Sequence, residues 1–128
     1  MSSSILDASA LLVLLKGEPG SEGVIEAIRD EAAISAVNFS EVVGKLRDGG
    51  MPEEDIHESL DPLELDIVEF DTELAYQAGL LRPLTKSAGL SLGDRACLAL
   101  AQHLNLPALT TDRVWRDLIP GVNVRVIR

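Results

Sequence analysis

Five short apolar runs, at residues 3–6, 33–35, 65–69, 108–110 and 122–127, punctuate this chain, and stretches with helical periodicity separate most of them. Strands so short and so far apart in sequence do not close hairpins on one another. They pair in parallel through crossovers that carry helices. The expected fold is therefore α/β: a three-layer α/β/α sandwich on a short, mostly parallel sheet, forming one domain over residues 1–128.

The segments between the runs carry recognisable starts and stops. Residues 8–16 read as a helix with Asp7 or Ser9 as N-cap, broken at residues 17–20. Residues 21–30 carry Val24, Ile25 and Ile28 on one face, and residues 37–47 turn Val42, Val43 and Leu46 inward. Pro52 suits the first turn of a short helix ending near Leu60, and Asp71 caps a longer one over residues 72–86. Ser91 and Asp94 have capping-box spacing, and Cys97, Leu98, Leu100, Ala101 and Leu104 supply the buried face that follows. Residues 114–118 make one or two helical turns before the Pro120-Gly121 turn.

Composition narrows the function. A chain of 128 residues buries roughly two-thirds of its surface. With 46% hydrophobic and 3% aromatic residues, its core is aliphatic. Eleven basic against 21 acidic side chains give a net charge of −10, which excludes a protein held to nucleic acid by a broad basic surface. A nuclease whose acids are gathered in a metal site stays open. No apolar run approaches the ~18 residues of a membrane span, and no basic leader precedes the first one. Cys97 is the only cysteine, so there is no intramolecular disulfide, and its apolar face marks a buried thiol. A cytoplasmic protein without membrane attachment is expected.

In a parallel sheet the chemistry sits beyond the carboxyl ends of the strands, where the crossovers diverge. Asp7 follows the first strand directly, and Asp112 follows residues 108–110 after Thr111. Asp94 opens the helix before that strand, and Glu41 lies about one turn into the helix after residues 33–35. Singly, each has a local explanation. A capping aspartate contributes about 0.5–2 kcal/mol, and a Glu41–Lys45 pair at i,i+4 about 0.3–0.5 kcal/mol. Together they exceed what capping requires. Two like charges ~4 Å apart repel by about 4 kcal/mol at an effective dielectric near 20, so a cluster of four calls for a cation. Hard oxygen ligands without histidine or thiolate select Mg²⁺ or Mn²⁺.

Four motifs in this order and spacing carry a resemblance: IxDASALL at residues 5–12, NxxE at residues 38–41, LGDRACLALA at residues 92–101 and LTTDRVW at residues 109–115. They resemble the PIN-domain ribonucleases, and among these VapC, the toxin of bacterial type II toxin–antitoxin pairs. The likeness runs over essentially the whole chain, including FDxxLAxxAGxLR at residues 70–82 and the closing VNVRVIR. It implies that Asp7, Glu41, Asp94 and Asp112 form a metal-binding acidic quartet for Mg²⁺ or Mn²⁺, with Asn38, and Ser9 or Thr111, as accessory polar groups. It implies an endoribonuclease that inhibits translation by cleaving an RNA phosphodiester. A cognate antitoxin would hold it in check, in a homodimer or a toxin–antitoxin hetero-oligomer.

Arg95 and Arg113, each directly after a quartet aspartate, are candidates for contact with RNA phosphates. Trp115 suits packing better than base stacking, and His57 and His103 lack companion ligands. The first two helices hold more aliphatic surface than one sheet face demands, and the resemblance implies an antitoxin peptide across them. Rival acidic-site families fail on residues. A haloacid-dehalogenase-like phosphatase needs an aspartate two after Asp7, where Ser9 stands, and a receiver needs adjacent acids there. The remaining alternative is a non-catalytic PIN-like module that binds protein or RNA.

Overall fold

Successive strand residues alternate between two buried layers, and this alternation organises the computed structural model, which describes residues 1–128. The strands are β1 (Ile5–Leu6), β2 (Ala33–Ser35), β3 (Asp66–Val68), β4 (Ala108–Thr110) and β5 (Val124–Val126). They form one sheet in the order β3-β2-β1-β4-β5, with every neighbouring pair parallel. In register, Ile5 lies beside Ala33 and Ala108, and Leu6 beside Ile34 and Leu109. Ile5, Ala33 and Ala108 point into one core cluster, while Leu6, Leu109 and Ile34 point into clusters on the opposite face.

The first face is covered by α5 (Thr72–Leu80) and α7 (Leu92–Leu104), with Trp115 and Ile119 from the C-terminal segment. The second is covered by α1 (Ala8–Leu15), α2 (Ser21–Arg29), α3 (Ala36–Asp48) and α4 (Glu53–Leu60). This is the three-layer α/β/α sandwich. Trp115 is fully buried in the α5–α7 layer, as its packing role requires, and Cys97 is buried there too.

The first and third strands contract to Ile5–Leu6 and Asp66–Val68, the turns expected at residues 114–118 are a single 3₁₀ turn at Arg113–Trp115, and three further boundaries differ from expectation. The helix after Asp71 does not run to residue 86: it ends at Leu80, and a separate turn, α6 (Arg82–Thr85), follows. Pro83 has no N–H to return to the carbonyl of Gly79, so the ladder breaks there. Pro52 stands one place earlier than a first-turn proline, at the N-cap of α4, and the closing strand contracts to Val124–Val126. No helix is long and apolar enough to cross a membrane.

Candidate active site

From β1 the chain moves outward one way through β2 and β3, then returns to β4 and β5 on the other side of β1. The crossovers therefore diverge at the carboxyl ends of β1 and β4, which is where an open parallel sheet forms its crevice. Asp7 is the first residue past β1. It caps α1, accepting the Ala10 N–H at 2.7 Å on Oδ1. Ser9 Oγ donates its hydrogen between the two carboxylate oxygens, at 2.7 and 2.9 Å, and Thr110 Oγ1 donates to Oδ2 at 2.6 Å. Asp7 is only 4% exposed. Burial pushes its pKa up to about 6, opposed by the bonds from Thr110, Ala10 and Ser9, with the charge of Asp94 adding to the rise.

Thr110 also accepts the backbone N–H of Asp112 at 3.1 Å, and Ser9 Oγ accepts that of Thr111 at 3.1 Å. These two hydroxyls tie the exit of β4 to the exit of β1. Of the two threonines, Thr111 contributes its backbone, while Thr110 contributes the hydroxyl on Asp7. Thr110 was missed in the sequence, although a polar residue closing a fully buried three-residue strand was the available signal.

The remaining acids come from two helix starts and one helix body. Asp94 closes a capping box on α7: its backbone N–H donates to Ser91 Oγ at 3.2 Å, and its Oδ2 accepts the Ser91 N–H at 2.9 Å. Asp112 Oδ1 accepts the Val114 N–H at 3.0 Å and starts the 3₁₀ turn at Arg113–Trp115. Glu41, exposed on α3, accepts from Asn38 Nδ2 at 2.9 Å, and the same NH₂ group donates to the Gly93 carbonyl at 3.0 Å. Behind them lies the Cys97 thiol, raised well above its ordinary pKa by burial first, then by the charges of Asp7, Asp94 and Glu41. Asp112 is joined to Asp7 through Thr110, which donates to the Asp7 carboxylate and accepts the Asp112 N–H.

None of the four carboxylates is in an ion pair, and Glu41 does not meet Lys45. The donor set is oxygen throughout, and Asn38 Oδ1 is buried without a hydrogen-bond partner. Such a set fits a hard divalent cation in its chemistry. As the side chains stand, no three close on a single ion, since Asp94 and Asp112 are turned onto helix-start N–H groups.

Arg95 Nη1 reaches α5, donating to the Ala78 carbonyl at 3.1 Å, whereas Arg113 is exposed beside Asp112. His57 pairs with Asp61 at 3.5 Å, and His103, near the far end of α7, lies 3.9 Å from Glu73. The aliphatic surplus expected on the first two helices is largely core: Leu11, Leu12 and Val24 are buried, and Leu14, Leu15, Ile25 and Ile28 half-buried. The apolar concavity lies instead between α3, α4 and the edge strand β3, with a volume of about 440 Å³ over Phe39, Val43, Ile56, Leu60 and Ile67.

Solved structures share this fold. A toxin–antitoxin complex from Klebsiella pneumoniae is similar, with a TM-score of 0.76 and 25% identity, over 94% of this chain and 95% of that one. VapBC2 from Rickettsia felis, bound to a DNA fragment from its promoter, has a TM-score of 0.70 at 19% identity, covering 95% and 96%. DNA-bound VapBC from Salmonella typhimurium also has a TM-score of 0.70 at 19% identity, covering 98% of each chain. No curated protein matches the sequence. The PIN domain matches residues 4–119, a span that contains both strands flanking the crevice and all four acids, and the chain belongs to the PIN domain family.

Proposed function

We propose that this protein is a Mg²⁺- or Mn²⁺-dependent endoribonuclease, the cytoplasmic toxin of a VapBC-type pair, which inhibits translation by cutting RNA. One observation carries the reading: in a PIN domain, Asp7 and Asp112 are joined through Thr110 at the exits of β1 and β4, the Glu41 carboxylate rests on Gly93 next to Asp94, and none of the four acids is in an ion pair. PIN domains are generally nucleases, and the similar structure from Klebsiella pneumoniae is a toxin–antitoxin complex.

Asp7 is the fixed point of the site. Three donors hold its two oxygens, so it keeps its orientation while other groups rearrange. With its pKa pushed up to about 6, it is mostly ionised at neutral pH. Asp94, Asp112 and Glu41 would complete the ligand set, the two aspartates exchanging their backbone caps for the cation. A divalent ion held there supplies activation of the attacking water and stabilisation of the leaving 3′ oxygen. Because the chain carries a net charge of −10, RNA gains little from the general surface, and the exposed Arg113 beside Asp112 is placed to meet a phosphate. Arg95 would have to leave the Ala78 carbonyl to do the same.

An antitoxin fits the same surface. A basic side chain would neutralise the acidic crevice, and an apolar segment would fill the concavity between α3 and α4. Tyr76 and Leu80, four apart on α5 and 71% and 75% exposed, form an apolar patch that suits a homodimer. Light scattering showing only monomer would remove the homodimer.

The test is RNA cleavage by the purified protein in Mg²⁺ or Mn²⁺, with 5′-end sequencing of cellular RNA after brief expression. Wild type should cut, lose activity on chelation, and lose it in Asp7→Ala and Asp94→Ala. Full activity in both variants would sink the reading. A second reading, a binding module without cleavage, is favoured by the backbone caps on Asp94 and Asp112. RNA or protein binding with no cleavage at any metal concentration would select it.

A further inference from the structure

Gly93 is the second residue of α7 and is buried, yet its backbone does not need glycine, because it is not among the residues with positive φ. What it supplies is space. A Cβ built on Gly93 would overlap both carboxylate oxygens and Cδ of Glu41. The Gly93 carbonyl meanwhile accepts from the Asn38 NH₂ group that donates to Glu41 Oε1. The Glu41 carboxylate therefore rests directly on the first turn of α7, over the residue that precedes Asp94, and Asn38 pins both to one another across α3 and α7.

We propose that Gly93 is a positioning residue whose missing side chain is the seat of the Glu41 carboxylate, fixing it beside Asp94 for cation binding. The proposal rests on the metal-dependent reading and deepens it. Without this seat, Glu41 is an exposed glutamate on a helix surface, free to swing toward Lys45 one turn on. With it, the carboxylate is confined to the crevice side of α3. The overlapping atoms are the far end of a flexible side chain, so an added methyl group displaces Glu41 and leaves the backbone in place.

The experiment compares wild type, Gly93→Ala, Glu41→Asp and the double variant by two readouts. The first is metal-free: the Asn38 side-chain amide resonances in a ¹⁵N-correlated NMR spectrum. The second is Mn²⁺ affinity by calorimetry, with Asp7→Asn as the reference for a lost site. Gly93→Ala should shift the Asn38 amide and weaken Mn²⁺ binding about tenfold or more, with a thermal midpoint within about 3 °C of wild type. Glu41→Asp withdraws the carboxylate by one methylene. It should weaken Mn²⁺ binding in the wild type, yet the double variant should bind more tightly than Gly93→Ala alone. A merely structural glycine would not produce that reversal. Unchanged Asn38 resonances with wild-type Mn²⁺ affinity in Gly93→Ala would overturn the proposal. Wild-type Mn²⁺ binding that Asp7→Asn leaves intact would instead overturn the metal-site reading, while the metal-free resonances still decide where Gly93 places Glu41.

Discussion

Asp7 and Asp71 do the same local job and come to different ends. Each follows a parallel strand, each has extended backbone (φ −87°, ψ 176° and φ −82°, ψ −178°), and each caps a helix by accepting the N–H three residues on, at 2.7 and 2.9 Å. Asp71 stands past the edge strand β3, exposed, with that single bond. Asp7 stands past the central strand β1, buried, and takes further bonds from Ser9 and from Thr110, 103 positions away. Capping geometry therefore does not separate Asp71 from the aspartate proposed for the site. Position in the sheet does, because only beside β4 can a second strand exit bring its own hydroxyl and its own acid.

The largest test of this contrast is removal of each carboxylate. Asp7→Ala should lower metal-dependent RNA cleavage by more than about 100-fold. Asp71→Ala should leave it within about twofold and cost about 1 kcal/mol of stability, the ordinary worth of an N-cap. Single-turnover cleavage and denaturant titration of both variants measure the two effects. Comparable activity losses would mean that the central strand confers nothing special.

Much of this was legible in the sequence because it is local. The β4 bounds, the Ser91–Asp94 capping box and the Asp7 cap all depend on residues within a few positions of one another. Thr110 was not legible as Asp7's partner, since its bond depends on β1 and β4 being neighbours, and strand order is not written in any window of sequence. Thr111 resembled the polar group of interest because it is adjacent to Asp112. The surplus of leucine on α1 misled for a related reason. That helix lies between two core clusters, with Leu11 and Leu12 in one and Ala10 in the other, so periodicity reports its apolar faces but not how many neighbours cover them. The break at Pro83, by contrast, is a local signal, yet the helix was expected to run through it to residue 86.

A second contrast concerns charge. Asp7 has a folded pKa of about 6 against an ordinary 3.8, so the folded state holds its proton more tightly than the unfolded chain. Its contribution to stability is complete below pH ~4 and is lost as the pH rises through about 6. In metal-free protein, Asp7→Asn should therefore be more stable than wild type at pH 7.5, by roughly 1–3 kcal/mol, and no more stable at pH 4. Asp71→Asn should change little at either pH, since asparagine caps as well as aspartate. Denaturation midpoints of the three proteins at both pH values measure this. A gain for Asp7→Asn that is independent of pH would show that folding does not raise the Asp7 pKa.

The smallest effect isolates Thr110. Thr110→Val keeps the shape of the side chain and removes the hydroxyl whose bond does most to lower the Asp7 pKa. Without it that pKa climbs further, so the acid limb of the cleavage pH profile should move to higher pH. By pH 8 the carboxylate is ionised again, and activity there should stay within about threefold of wild type. The Asp112 N–H also loses its acceptor, at a cost of about 1–3 kcal/mol in stability. The control beside the other cap, Thr72→Val at the start of α5, removes an exposed hydroxyl and should move neither the profile nor the stability appreciably. If Thr110→Val lowers activity equally at every pH, the hydroxyl serves to hold the β4 exit in place. If it shifts the limb, the hydroxyl sets the charge of Asp7, and the difference between the two caps then reaches beyond β1 to the last residue of β4.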